Sequence, residues 1–148
     1  MKTKLVHLSV IGLLVAAAHL PATAANVYVG SECEGYLEDQ QYIDKQGTSF
    51  HNGTGTNQTV TCPLTRIGSS SGYISGTIYV KGYSSQSITC SLHSTTPDGT
   101  NGTYKSLTVT AGWSTPVTIS NVYAWANGGA YFRCTLPNQT YILNYNLN

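Results

Sequence analysis

Ala130-Tyr131-Phe132-Arg133-Cys134-Thr135-Leu136 is the stretch that decides the fold. Side chains alternate between the two faces of a β-strand, so Phe132, Cys134 and Leu136 share one face and Tyr131, Arg133 and Thr135 the other. The apolar, cysteine-bearing face belongs in a core and the polar one in water. The same pattern recurs as Val60-x-Cys62-x-Leu64 and Ile88-x-Cys90-x-Leu92. Three cysteines are thereby directed inward, between apolar neighbours on strands.

Working outward, further short runs favour strands: Val27 to Val29, Gln58 to Leu64, Tyr73 to Lys81, Ser87 to His93, Thr103 to Val109, Val117 to Val122, and Thr140 to Leu147. The connections carry Asn52-Gly53, Asp98-Gly99, Asn101-Gly102 and Asn127-Gly128, pairs that tolerate the backbone angles of tight turns. No segment has a helical period. About eight short strands separated by turns predict an all-β fold, an antiparallel, jelly-roll-like β-sandwich. Alternation directs Tyr73, Ser75, Thr77, Tyr79 and Lys81 outward. In the last strand it groups Tyr141, Leu143, Tyr145 and Leu147, which predicts that these tyrosines help the core. Residues 34–58 show no alternation and read as one long loop.

Residues 1–24 have the three parts of a cleavable export signal: Lys2 and Lys4, an apolar run from Leu8 to Ala18, and small residues at Ala22 and Ala24. The run is well short of the roughly 20 residues needed to span a bilayer. The expectation is a secreted protein, extracellular or periplasmic, with a single domain over residues 25–148 and no membrane span. Past residue 24, Lys45, Arg66, Lys81, Lys105 and Arg133 face Glu32, Glu34, Glu38, Asp39, Asp44 and Asp98, a net charge of −1. That balance argues against nucleic acid as a partner. Charged residues make up only 9% of the chain, so its surface must be a neutral, hydrogen-bonding one.

An even number of cysteines, Cys33, Cys62, Cys90 and Cys134, in an exported chain favours two disulfides, and their wide spacing does not suit zinc. Four cysteines allow three connectivities. The shared inward pattern favours Cys90 with Cys134, which leaves Cys33 for Cys62. Together with Cys62-Pro63-Leu64 and Cys134-Thr135-Leu136-Pro137, the four cysteines resemble those of small secreted bacterial four-cysteine β-sandwich proteins. The resemblance covers about residues 27 to 147 and implies export and a sandwich, with no functional residue carried over.

Catalytic signatures fail on inspection. Gly68-Ser69-Ser70-Ser71-Gly72 matches the nucleophile elbow G-x-S-x-G, but a strand follows where a helix is required, and no acid lies between Ser70 and His93. His51 and His93, the histidines beyond residue 24, have no partner at motif spacing. Glu32, Glu34, Glu38, Asp39 and Asp44 form an acidic stretch without a calcium-loop pattern, so no metal site and no cofactor are expected. The sequons at Asn52, Asn57, Asn101 and Asn138 matter only in a eukaryotic secretory pathway.

The tryptophans carry the functional reading. Trp113 sits between strands in Ala111-Gly112-Trp113-Ser114-Thr115-Pro116, and Trp125 in Tyr123-Ala124-Trp125-Ala126-Asn127-Gly128-Gly129. Aromatic rings on the loops of a neutral sandwich can stack on sugar faces while amides bond hydroxyls. Tyr123 and Trp125 are expected to point the same way as one flat platform beside Asn127, joined by Trp113 if both connections leave one end of the sandwich. The competing expectation is that each indole caps the core. The sequence therefore points to a non-enzymatic binder of a glycan or other cell-surface component. A self-associating structural protein joined through strand edges is the runner-up, and an enzyme comes third.

Overall fold

The computed structural model describes residues 27–35, 43–44, 48–65, 67–83 and 85–148, with only the backbone of 43–44. The expected export signal, and Glu38, Asp39 and Arg66, lie outside the described residues. Eleven strands are present among them: β1 (Val27–Val29), β2 (Glu34–Gly35), β3 (Ile43–Asp44), β4 (Phe50–Asn52), β5 (Gln58–Pro63), β6 (Gly72–Lys81), β7 (Ser87–Thr95), β8 (Gly102–Thr110), β9 (Thr115–Ala124), β10 (Gly129–Leu136) and β11 (Thr140–Leu147). A short 3-10 turn, Gly30–Glu32, follows β1. All eight expected strands are found. The stretch read as one loop holds three more, and β4 buries Phe50 completely.

All pairings are antiparallel. One sheet runs β3-β4-β11-β6-β9, with β1 also on β11, and the other runs β2-β5-β10-β7-β8. The alternation seen in sequence is the reason they stack. Val60, Cys62, Ile88, Cys90, Leu92, Phe132, Cys134 and Leu136 face Phe50, Ile78, Val80, Val117, Ile119, Ile142 and Tyr145 in one core. Phe132 reaches across it, edge-on to Tyr145 with ring centroids 6.3 Å apart. The ring also fills the space over Gly76, where a Cβ would come within 2.8 Å of it.

Both favoured disulfides are present, Cys33–Cys62 and Cys90–Cys134. Cys90 and Cys134 are register partners on the neighbouring strands β7 and β10. That bridge therefore staples strands within one sheet rather than clamping the two sheets together.

Two bulges break the expected alternation. In β11 the register slips at Leu143, between Ile142 and Asn144. Ile142 and Tyr145 are consequently both buried, while Tyr141 is turned to the outer face. The expectation that the last strand's tyrosines all serve the core is thus corrected for Tyr141: an extra residue inverts the faces on one side of it. In β9 a bulge at Ser120–Asn121, where Asn121 takes φ 58°, lies opposite Ser75.

Candidate functional site

The outer face of the β3-β4-β11-β6-β9 sheet ends in a row of side chains set by register. His51 of β4 pairs with Tyr141 of β11, and Tyr141 pairs with Lys81 of β6. The His51 imidazole stacks on the Tyr141 ring with centroids 4.2 Å apart and planes within 11°. Next in the row, the Lys81 ammonium lies 5.1 Å from the Tyr141 centroid and 4.7 Å from that of Trp113. Trp113 itself is 82% exposed. It does not cap the core.

These residues border a concavity of about 240 Å³ lined by Lys81, Gly82, Tyr83, Ala111, Gly112, Trp113 and Tyr141. Its floor is built from backbone. Gly82 N–H donates to Gly112 O (2.9 Å), and Ala111 N–H to Gln86 O (2.8 Å), tying the segment after β6 to the one before β9. A Cβ on Gly82 would meet the Ala111 methyl at 2.7 Å, so the close approach that makes the floor needs glycine there. Thr115 Oγ1 accepts from Gly112 N–H (2.9 Å) and fixes the turn that displays Trp113. The ring is thus presented on a braced turn that carries the chain from β8 in one sheet to β9 in the other.

Tyr123, Trp125 and Asn127 lie at the other end of β9. With Trp113 just before that strand and Trp125 just after it, about 30 Å separates the two connections at ~3.3 Å per residue. The condition for joining Trp113 to the Tyr123 platform is therefore not met. Tyr123 and Trp125 do meet, with centroids 5.4 Å apart, but at 89° to one another, and Tyr73 meets Tyr123 at 79° and 5.7 Å. An edge-to-face cluster replaces the expected flat surface, because β9 ends at Ala124 and the chain turns. Trp125 is half-buried, and its loop is held by Ala126 N–H to Ser71 Oγ (3.0 Å) and Asn127 N–H to Gly68 O (2.8 Å). Asn127 is exposed in a left-handed conformation, φ 57°. Tyr73, 74% exposed, is the open ring of this patch.

A third aromatic row crosses the outer face of the opposite sheet. His93 of β7 is stacked between Tyr104 of β8 (5.0 Å) and Tyr131 of β10 (4.7 Å). Ser91 Oγ lies 3.1 Å from Arg133 O and 2.7 Å from His93 Nε2, and the imidazole tautomer sets which of these two its proton goes to. Burial, and secondarily the positive charge of Arg133, pushes the His93 pKa below its ordinary 6.5. The unfolded chain thus takes up a proton that the folded protein refuses. This contribution to stability is complete above about pH 6.5 and is lost as pH falls through the lower folded value. Thermal melts between about pH 7 and pH 5 are expected to show a steeper loss for the wild type than for His93→Gln; equal slopes would refute the assignment.

Ser70 lies in a bend before β6, and His51 and His93 sit on outer faces of different sheets. Among the described residues no group of three His, Cys, Asp or Glu side chains could hold a metal ion. Glu32 and Glu34 are exposed beside the buried Cys33. Among the sequons, Asn52 is fully buried, its Nδ2 donating to Thr56 O and Leu136 O at 2.8 Å each, which leaves no amide for a glycan. No helix among the described residues is long and apolar enough to cross a membrane.

The sequence did not single out Lys81, Tyr83 or Tyr141 for the site. Alternation does place Lys81 outward, but the contact between β6 and β11, some sixty residues apart, is a product of topology.

The fold and the exposed aromatic rows define a disulfide-stapled antiparallel β-sandwich with aromatic side chains on its outer surfaces. No protein-family model matches the chain, and no curated protein does. Among solved structures, it is similar to TmCBM61 in complex with beta-1,4-galactotriose, at 12% identity over 85% of this chain and 88% of that one, TM-score 0.44. It is also similar to the carbohydrate binding module CBM6cm-2 from Cellvibrio mixtus lichenase 5A in complex with cellotriose, at 14% identity over 83% and 95%, TM-score 0.49. The family 11 carbohydrate-binding module of Lic26A-Cel5E from Clostridium thermocellum is matched at 10% identity over 84% of each chain, TM-score 0.35.

Proposed function

We propose that the protein is an exported, non-catalytic module, one domain over residues 25–148, that binds carbohydrate through the Trp113 concavity. One observation carries this reading: a tryptophan 82% exposed on a braced turn, at the lip of a hollow lined by Tyr83 and Tyr141. Leaving so large an apolar ring in water is unfavourable unless a ligand covers it, and a pyranose presents an apolar face of the right kind. The Tyr83 and Tyr141 side chains around it bring hydroxyls suited to hydrogen bonding with sugars. Tyr73, Tyr123, Trp125 and Asn127 form a second patch, which would meet a long chain or a second ligand.

Two of the four edge strands, β8 and β9, carry features that discourage pairing with another chain, which favours this reading over a self-associating protein. On edge strand β8, Lys105 is register partner of the buried Leu92, so a charge occupies an inward-facing position. Edge strand β9 carries Pro116 and the Asn121 bulge. Inward charges, prolines and bulges are the devices by which sheet edges avoid pairing with another chain.

A glycan array probed with wild type and Trp113→Ala tests the proposal. Removing a central aromatic anchor is expected to weaken binding by about thirtyfold or more. Because the ring is exposed, the melting temperature should stay within the small range typical of surface substitutions. Undiminished glycan binding by Trp113→Ala, or a wild type that binds no glycan, would overturn the proposal.

A further inference from the structure

Resting on the carbohydrate reading, we infer that the Trp113 site selects acidic glycans, those bearing carboxylate or sulfate, and that Lys81 recognises the negative charge. The Lys81 ammonium is held between the rings of Trp113 and Tyr141, 4.7 and 5.1 Å from their centroids, at the wall of the concavity. Strands β6, β9 and β11 contain no Asp or Glu, and neither do the connecting residues Gly82, Tyr83, Ala111, Gly112, Trp113 and Ser114. Among the described residues of that sheet's strands, Asp44 of β3 is the one acidic position. Its register partner is His51, so β4 and β11 lie between it and Lys81. Three strand spacings are roughly 14 Å, beyond the ~8 Å screening length of physiological salt.

Among the described residues, the cation therefore sits at the aromatic site with ring faces as its neighbours, in a protein that has very few charges. Ring faces hold an ammonium in place but satisfy its N–H donors poorly, whereas a carboxylate or sulfate accepts them fully. Lys81 covers one face of Trp113, so a sugar stacked on the opposite face would reach the ammonium with a substituent that passes the indole edge, where a negative group is favoured over a hydroxyl. A charge-assisted contact of this kind corresponds to about tenfold or more in affinity.

The test uses matched pairs that differ in charge: oligogalacturonate against its methyl ester, and chondroitin sulfate against desulfated chondroitin. Each is titrated against the exported protein, Lys81→Met and Trp113→Ala. The wild type is expected to prefer an acidic member by about tenfold or more, with the advantage shrinking as salt rises. Lys81→Met keeps the apolar stem and should bind both members of the pair equally. Equal binding of charged and neutral partners by the wild type, or a preference that survives in Lys81→Met, overturns the inference. Loss of binding in Trp113→Ala reports on the platform instead, so the two readings fail separately. A wild type that binds neither member of either pair overturns this inference, while binding to a neutral glycan elsewhere on an array would leave the broader proposal standing.

Discussion

Phe132→Ala is expected to destabilise the domain by about 3 to 5 kcal/mol, measured as a shift in the urea unfolding midpoint. The ring is fully buried and bridges the sheets, touching Tyr145 edge-on and covering Gly76. Gly76 has no side chain to move into the gap, and the walls are strands locked into two sheets with a disulfide on Phe132's own strand. Collapse of the cavity is therefore restricted, which puts the substitution at the costly end of large-to-small core changes. A loss of only about 1 kcal/mol, the size of an average substitution, would show that the two sheets close over the hole.

Replacing Cys90 and Cys134 together by valine is expected to lower stability by about 3 to 4 kcal/mol, through the entropy returned to an unfolded chain whose sequence separation between the cysteines is 44. The valines keep an apolar, strand-favouring pair at positions already matched in register, so the folded architecture should persist. Urea unfolding gives the loss. Binding at the Trp113 concavity, on the other sheet, should be retained in the folded variant. A double variant as stable as wild type would mean that the unfolded chain gains nothing from release of the bridge.

The core strands were legible because burial on one face imposes strict alternation, as in Phe132-x-Cys134-x-Leu136, and the cysteine pairing followed from that inward direction. Bulges are not legible this way. Leu143 looks like any apolar strand residue, yet as the extra residue it turns Tyr141 out to His51 and Lys81. Phe50 was missed because a three-residue strand is too short to show a period. The tryptophans were rightly picked as residues in connections, but which end of the sandwich each connection leaves depends on strand length: the sequence suggested a run from Val117 to Val122, and β9 spans Thr115–Ala124. The Trp113 concavity is assembled from β6, the turn before β9, and β11, so no local stretch contains it.

The strand order also governs how the chain finds this structure. β10 lies between β5 and β7, and β11 between β4 and β6; none of these four partners is its neighbour in sequence. Of the main pairings, β7 with β8 is one of the few that a hairpin can close. High contact order of this kind places folding in the slow regime of milliseconds to seconds, since distant segments must be brought together before their contacts can reward the lost freedom. In an oxidising compartment, a bond between Cys90 and Cys134 shortens that search. It holds the facing residues of β7 and β10 in register.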